Sequence, residues 1–500
     1  MTNGGGKSDG RVVPKKPANK GKGSPRPAEQ VEGRRPAKEN PTTGPQDRTQ
    51  SRATLEEALQ RVRRVATSRK DEKLTALWHH VYDAERLHEA YLRLGRDAAS
   101  GIDGVTWRQY GENLQGNLLD LSERLRRGAY RPQPVRRVFL PKTDGGQRPI
   151  GVPTLEDKLV QRAATEVLST IYETEFLPMS YGFRPGRSQH HALDALAVGI
   201  RRERVNFVLD ADLRGFFDTI DPEWMCRFIE HRIADQRVTT HIRKWMNAGV
   251  LQDGQFQASD RGVPQGGSIS PLLANIYLHY VFDLWVQQWK RRRATGEMLA
   301  VRYADDFIVG FQQVEDAEQF LAQLRERLTT FGLELHPDKT RLLEFGRFAA
   351  ERRASRGQGK PETFDFLGFT HICGQDRHGR FSLRRQTSRK KIRAKLAELK
   401  KETHRRARRA QHKLGPWLRA VVQGHFNYYA VPGNFDALKR MRRLVIRLWA
   451  KALRRLSQRH RVSTERMKQL AERWLPRPKI LHPFPEQRLA VTIQGKSPVR

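Results

Sequence analysis

Two aspartates stand side by side in "VRYADDFIVG" (residues 301–310), inside a run whose Val301, Tyr303, Phe307, Ile308 and Val309 ask for an apolar core. A regular strand would send one of the two carboxylates inward and strip its hydration. The pattern therefore predicts a hairpin of two short apolar strands with Asp305 and Asp306 at or beside the tip. Alone, that also describes an Asp-rich surface turn. Some ninety positions earlier, "FVLDADLRGFFDTID" supplies a third carboxylate. If residues 206–213 form a strand, Val208, Asp210 and Asp212 share one face, and Phe207, Leu209, Ala211 and Leu213 share the other. An acidic residue on a core strand, combined with a tip pair, suggests a site for hard cations. The chemistry that wants such a site is phosphoryl transfer, in which two Mg²⁺ ions about 3.5–4 Å apart activate an attacking oxygen and stabilise a leaving one. Mg²⁺ takes one or two protein carboxylates and completes its shell with phosphates and water, so three aspartates suffice.

The elements that must carry these residues read as an α+β pattern without the regular βαβ repeat of a doubly wound sheet. Residues 135–153 form a predicted hairpin turning at Thr143-Asp144-Gly145-Gly146. A helix is predicted from Leu155 to about Phe176, then a Gly/Pro-punctuated loop, "SYGFRPGRS" (180–188). After strand 206–213, "DPEW" opens a helix with Asp221 as cap and Pro222 at its first position. "DRGVPQGGSISPLLANIYLHYVFDLW" is a Gly-rich loop running into a helix with Ser270 as its expected N-cap. A helix from Glu315 to about Phe331 and the apolar run "FDFLGF" (364–369) close the central body. The last third reads as helical and basic, with Phe435, Leu438, Met441, Val445, Leu448, Leu453 and Leu456 at helical spacing. The histidine pairs His79-His80 and His190-His191 form no ligand constellation and are read as surface or nucleic-acid-facing residues.

The chain of 500 residues carries Lys+Arg 93 against Asp+Glu 55, a formal net charge of +38. From Leu383 to Arg500 there are 33 basic and 6 acidic residues, and in residues 1–70 there are 17 and 7, leaving a central body of 43 against 42. A nearly neutral body with two basic ends points to nucleic acid, with an anionic membrane surface as the rival. Two cysteines, Cys226 and Cys373, exclude a disulfide framework and a Cys-rich zinc module. The opening "MTNGGGKSDGRVVPKK" has no apolar stretch of the signal-peptide kind, and no run reaches the roughly 18 apolar residues of a membrane span. A cytosolic protein without membrane partners is expected.

Together "LDADLRGFFD", "GVPQGGSISPLLANIYL" and "RYADDFIVG" resemble the palm motifs of reverse transcriptases. More narrowly, the chain from about Tyr82 to Lys496 resembles the group II intron reverse transcriptase/maturase family. "GIDGV" (101–105) is similar to that family's motif zero, "KTDGGQRPIGVP" to its first finger motif, and "SYGFRPGRS" to its insertion in the second. "FGLELHPDKT" (331–340) and "FDFLGF" resemble the closing motifs, and "GHFNYYAVPGN" (424–434) the maturase, or X, domain that serves as thumb. The resemblance implies a right-hand polymerase fold of fingers and palm followed by an all-helical thumb. Composition reads residues 1–70 as a basic, largely disordered tail outside the shared pattern, with helical periodicity starting near Leu55; the divisions that follow are a helical extension (71–127), fingers and palm (128–370), the thumb (384–475) and a short basic segment (476–500).

The resemblance also implies roles. Asp212 and Asp305 would ligate two Mg²⁺ ions, Asp306 would complete the triad, and the Leu213 carbonyl would help. Lys142 and Arg148 would meet the triphosphate of the incoming dNTP, Phe217 would gate the sugar against a 2′-hydroxyl, and Gln265 would lie near the nascent pair beside Gly266 and Gly267. Asp210, Asp218 and Asp221 are read as turn or cap residues. The implied activity is RNA-directed DNA synthesis from a primer 3′-hydroxyl. RNA template, intron RNA and DNA primer or target would be the partners, and splicing and retrohoming of an intron the setting. Many members carry an HNH endonuclease with paired cysteines; without a Cys pair after Cys373, no target nicking is expected. Two alternatives stay open: a domesticated polymerase in defence or repair, and an RNA-binding splicing factor without polymerase activity.

Overall fold

The computed structural model describes residues 45–141, 146–258, 261–409, 411–455 and 463–492. It opens with helix α1 (Pro45–Ser68), whose Leu55, Ala58, Val62 and Ala66 recur at helical spacing and are buried. Residues 45–68 are therefore not part of a largely disordered tail, as the 1–70 boundary expected. The apolar stripe packs on the helix that follows the finger hairpin, and Arg61, Arg63 and Arg64 lie exposed on the rest of its surface.

Strands β1 (Val135–Pro141) and β2 (Gln147–Val152) form the expected hairpin, with Pro141 opposite Gln147. The turn between them, including Lys142, lies outside the described residues. Helix α2 (Leu155–Tyr172) starts where the Thr154 side chain accepts the Asp157 N–H, and α3 (Gln189–Arg202) where Ser188 accepts that of His191. Strand β3 (Phe207–Asp212) leads to a helix (Pro222–Glu230) capped as expected by Asp221, which accepts from Glu223 and Trp224. Short strands β4 (Val250–Gln252) and β5 (Gln255–Gln257) complete a four-stranded finger sheet in the order β2-β1-β4-β5.

Helix α4 (Ser270–Leu278) runs through one π turn (His279–Asp283) into a further helix, Leu284–Arg292. Ser270 is its first residue rather than its cap, because the hydroxyl turns back to donate to Pro264 O, 2.8 Å away. Then come β6 (Met298–Tyr303), β7 (Asp306–Phe311), helix α5 (Val314–Thr330) and β8 (Arg341–Glu344). The palm sheet has the order β6-β7-β3-β8 and is antiparallel throughout.

Period-two alternation divides that sheet cleanly. Leu209, Ala211, Phe307, Val309 and Phe311 join the core that includes α2, α4 and α5. Val208, Val301, Ile308 and Leu343 pack with α3 and with Phe364, Phe366 and Phe369 on the other side. Each such aliphatic side chain contributes about 1.5–3 kcal/mol when fully buried. Asp210 and Asp212 extend the second face, as the strand reading expected.

Strands β9 (Phe364–Phe366), β10 (Phe369–Gln375) and β11 (Phe381–Thr387) form a small sheet that continues three residues past the expected thumb boundary at 384. Helices α6 (Arg389–Arg409), α7 (Gln411–Tyr429), α8 (Phe435–Arg454) and α9 (Thr464–Trp474) then pack around Leu399, Leu418, Val422, Met441, Val445 and Trp449. Phe435, expected on that apolar face, is exposed, while Trp449 fills the core; Leu456 lies outside the described residues. The chain returns to the palm through α10 (Pro485–Thr492), where Arg488 Nε lies 2.8 Å from Asp194 Oδ2 on α3. His482 stacks on His190 at 4.0 Å. His190 is thus buried, against the surface reading, because the C-terminal segment covers it, and that burial holds its pKa down at about 2. The fold is α+β: two four-stranded sheets with their helices, then a small three-stranded sheet and a helical C-terminal region.

Candidate active site

The β3/β7 register places Asp212 directly opposite Asp306, and the β6/β7 register places Asp306 opposite Tyr303. Ala304 and Asp305 make the two-residue turn between β6 and β7. Ala304 has φ +56°, a position that such turns ordinarily give to glycine. An L-residue there costs about 1–2 kcal/mol, so the surroundings must hold it.

Directly paired residues point to one face of a sheet, so the carboxylates of Asp212 and Asp306 are brought together at the sheet end, with Asp305 beside them in the turn. Their electrostatics bear this out. Burial pushes Asp306 well above the usual carboxylate range, and the charges of Asp305, Asp210 and Asp212 push the same way. Burial also raises Asp305, with Asp212 adding to the shift, while Arg148 and Arg302 act against it. Asp210 is raised by burial and held back by Arg341, whose Nη2 lies 3.0 Å from its Oδ2. Asp210 is therefore a strand residue tied to β8, not the turn or cap residue expected. Lys339 reaches Asp212 in turn, Nζ to Oδ2 2.6 Å.

Among the described residues, no three His, Cys, Asp or Glu side chains have ligand atoms converged on one point. The donor set nevertheless suits a hard divalent cation: oxygens of three neighbouring aspartates, of which Asp305 and Asp306 are disfavoured as anions by burial and by acidic neighbours. Beside Leu213, the carbonyl of Asp212 accepts the His336 N–H at 2.8 Å and the Arg214 N–H donates to Glu334 O at 2.9 Å, so the bridge to Leu335 does not engage Leu213's own carbonyl.

The fingers meet this end of the palm through backbone. The Gly151 N–H of β2 donates to Gln265 O at 2.7 Å. A Cβ at Gly266, φ +121°, would stand 2.6 Å from Gly151 O, so this crossing requires glycine. Arg148, opposite Leu140 on the exposed hairpin, is near enough for its charge to act on Asp305. Phe217 is half-buried, edge-on to buried Phe216 at 5.4 Å, and its carbonyl accepts the Val263 N–H at 2.7 Å. That bond ties the segment after β3 to the loop that carries Gln265.

Residues 140–371, which span Arg148, Asp212, Phe217, Gln265 and the Asp305-Asp306 turn, match the family described as "Reverse transcriptase (RNA-dependent DNA polymerase)". The chain is 35% identical over 277 residues to protein YkfC of Escherichia coli, covering 48% of this chain and 71% of YkfC. It is 34% identical over 252 residues to the group II intron-encoded protein LtrA of Lactococcus lactis, covering 49% of this chain and 41% of LtrA. The chain belongs to the group II intron reverse transcriptase/maturase family. It is also 28% identical over 178 residues to nuclear intron maturase 3 of Arabidopsis thaliana, 24% of that protein's length. The matches thus span less than half of LtrA and of the plant maturase.

Asp212 and Asp306 thus face each other across the palm sheet with Asp305 in the adjoining turn, the charge of Arg148 reaches Asp305, and Gln265 and Phe217 are joined to the same region by backbone. Sequence reasoning missed Lys339 and Arg341, which alternate in "PDKTR" as β8 begins and reach Asp212 and Asp210 respectively. It also missed Arg302 and Asp283. Both are 0% exposed and joined by Nε–Oδ1 and Nη2–Oδ2 contacts of 2.7 and 2.5 Å. Their signal was available: one Arg in the apolar run "MLAVRY" and one Asp in "IYLHYVFDLW" must each find a partner when buried.

Proposed function

We propose that the protein is an RNA-directed DNA polymerase of group II intron type, extending a primer 3′-hydroxyl with deoxynucleotides on an RNA template. The observation that carries this reading is the strand register that sets Asp212 against Asp306 with Asp305 in the adjoining turn. These three carboxylates, with the Leu213 carbonyl, would hold two Mg²⁺ ions, which when bound activate the attacking hydroxyl and stabilise the departing pyrophosphate.

The remaining roles belong to this chain's own groups. Arg148, with Lys142 on the same hairpin, offers positive charge to the triphosphate and to the charge that develops on its leaving group. Phe217 would exclude a 2′-hydroxyl with its ring, and the Gln265–Gly267 loop would let backbone approach the nascent pair. Helices α6 and α8 bring Arg and Lys side chains to a template–primer duplex, and an A-form duplex is bound mainly through shape, phosphates and 2′-hydroxyls. Relatives named as an intron-encoded protein and an intron maturase support a second task on intron RNA, assistance in splicing and mobility. No described helix is long and apolar enough to cross a membrane.

The competing reading, a splicing factor without polymerase activity, draws on the relative named as an intron maturase. Primer extension on poly(rA)/oligo(dT) in Mg²⁺ separates the two. Template-dependent dTMP incorporation supports the polymerase, and intact RNA binding without incorporation supports the splicing factor.

A further inference from the structure

We propose that Arg302 is a positioning residue: its buried guanidinium fixes the Ala304 carbonyl, and through it the direction in which the turn presents Asp305 and Asp306. The inference rests on the polymerase reading above and names how that site is held.

An arginine has five N–H donors, and Arg302 faces five acceptors. Nε and Nη2 take the two carboxylate oxygens of Asp283. Nη1 donates to Asn275 Oδ1 at 3.0 Å and to Ala304 O at 2.9 Å, and Nη2 also donates to Ser180 Oγ at 2.7 Å. The acceptors come from four separate places: the π turn, α4, the loop before α3, and the catalytic hairpin itself. A lysine, with three donors on a point charge, cannot serve that set.

The backbone repeats the connection. Arg302 N–H donates to Met179 O and Arg302 O accepts the Tyr181 N–H, each at 2.8 Å, so the loop lies along β6 as a short parallel bridge. Asn275 Nδ2 donates to Gly182 O at 2.7 Å. A Cβ on Gly182 would stand 2.4 Å from Ala304 N, which shows how closely the loop presses on the turn.

Three features indicate positioning rather than simple packing. Ala304 is held at φ +56°, where only an outside contact keeps a non-glycine residue, and the guanidinium supplies that contact at its carbonyl. The π turn that carries Asp283 is a local departure from α-helix of the kind found at functional sites. A buried ion pair is also a poor source of stability, since an apolar pair of like volume commonly serves as well or better. An Arg–Asp pair directly behind the Ala304–Asp305 turn is therefore explained by what it orients.

The test uses the full chain with two variants, Arg302→Met/Asp283→Leu and Arg302→Lys. The first removes the ion pair without stranding a charge; the second keeps the charge and loses the fork. Thermal unfolding establishes which variants fold, RNA–DNA duplex affinity checks the binding surface, and Tb³⁺ luminescence titration reads the carboxylate site without turnover. The expected result is folded protein with unchanged duplex affinity, Tb³⁺ half-saturation weakened about 10–100-fold, and a matching rise in the Mg²⁺ needed for half-maximal primer extension. A folded variant with wild-type Tb³⁺ and Mg²⁺ half-saturation would overturn the proposal. So would failure of both variants to fold, because the fork would then be an ordinary part of the core. If the wild type itself extended no primer, the polymerase reading would fall while the Tb³⁺ titration still judged the network.

Discussion

Lys339 Nζ lies 2.6 Å from Asp212 Oδ2, so the carboxylate that faces Asp306 across the palm sheet also carries an ammonium on its other side. Any cation arriving at Asp212 competes with that ammonium. Lys339 is more than half exposed, and such pairs are worth little in water. Lys339→Met should therefore tighten Tb³⁺ binding in the absence of nucleotide by only about threefold. Weaker binding in the variant would mean that Lys339 organises the site instead of competing for it.

Asp306 has a linked consequence for stability. Burial and its acidic neighbours raise its pKa in the folded chain. Between the unfolded value, about 3.9, and the raised folded value, the folded state holds more protons than the unfolded one. Stability from this group therefore falls as pH rises through that window, and at pH 7 its charge is a net cost. Asp306→Asn should raise the melting temperature at pH 7 in metal-free buffer by about 2 °C or more and flatten the pH dependence above about 4. An unchanged or lower melting temperature at pH 7 would show that the charge is already neutralised by its surroundings.

Phe217 offers a specificity test. Phe217→Ala should raise ribonucleotide incorporation relative to deoxynucleotide by about tenfold or more, since a steric gate acts by clash with the extra hydroxyl. Single-nucleotide kinetics with dTTP and UTP measure it. Unchanged selectivity would leave Phe217 as packing against Phe216.

The basic helices predict salt dependence. If α6 and α8 neutralise ~6–10 phosphates, duplex affinity should fall ~10³–10⁵-fold between 50 and 200 mM salt. Fluorescence anisotropy with a labelled RNA–DNA duplex gives the slope, and a nearly flat response would assign the basic surface to another partner.

Much of this was legible in the sequence because each signal was local. Apolar alternation marked β3 and the β6–β7 hairpin, and the Asp-Pro pair marked the start of the helix at Pro222. What escaped was set by tertiary contact. Ser270 looked like a cap, yet its hydroxyl bonds to Pro264 O in a loop already folded back on the helix. His190 looked exposed, and only the return of the chain through His482 buries it. Arg302 and Asp283 are 19 residues apart, and nothing short-range says that they meet. Asp212 and Asp306 came within reach of sequence reasoning through the family's motif series; their pairing is a fact of strand register.

Whether the aspartates drive DNA synthesis is decided by dTMP incorporation on poly(rA)/oligo(dT) in Mg²⁺, comparing wild type with Asp305→Ala/Asp306→Ala. Steady primer extension is expected from the wild type, and none from the double variant despite retained RNA affinity. Extension by the double variant at the wild-type rate would contradict it.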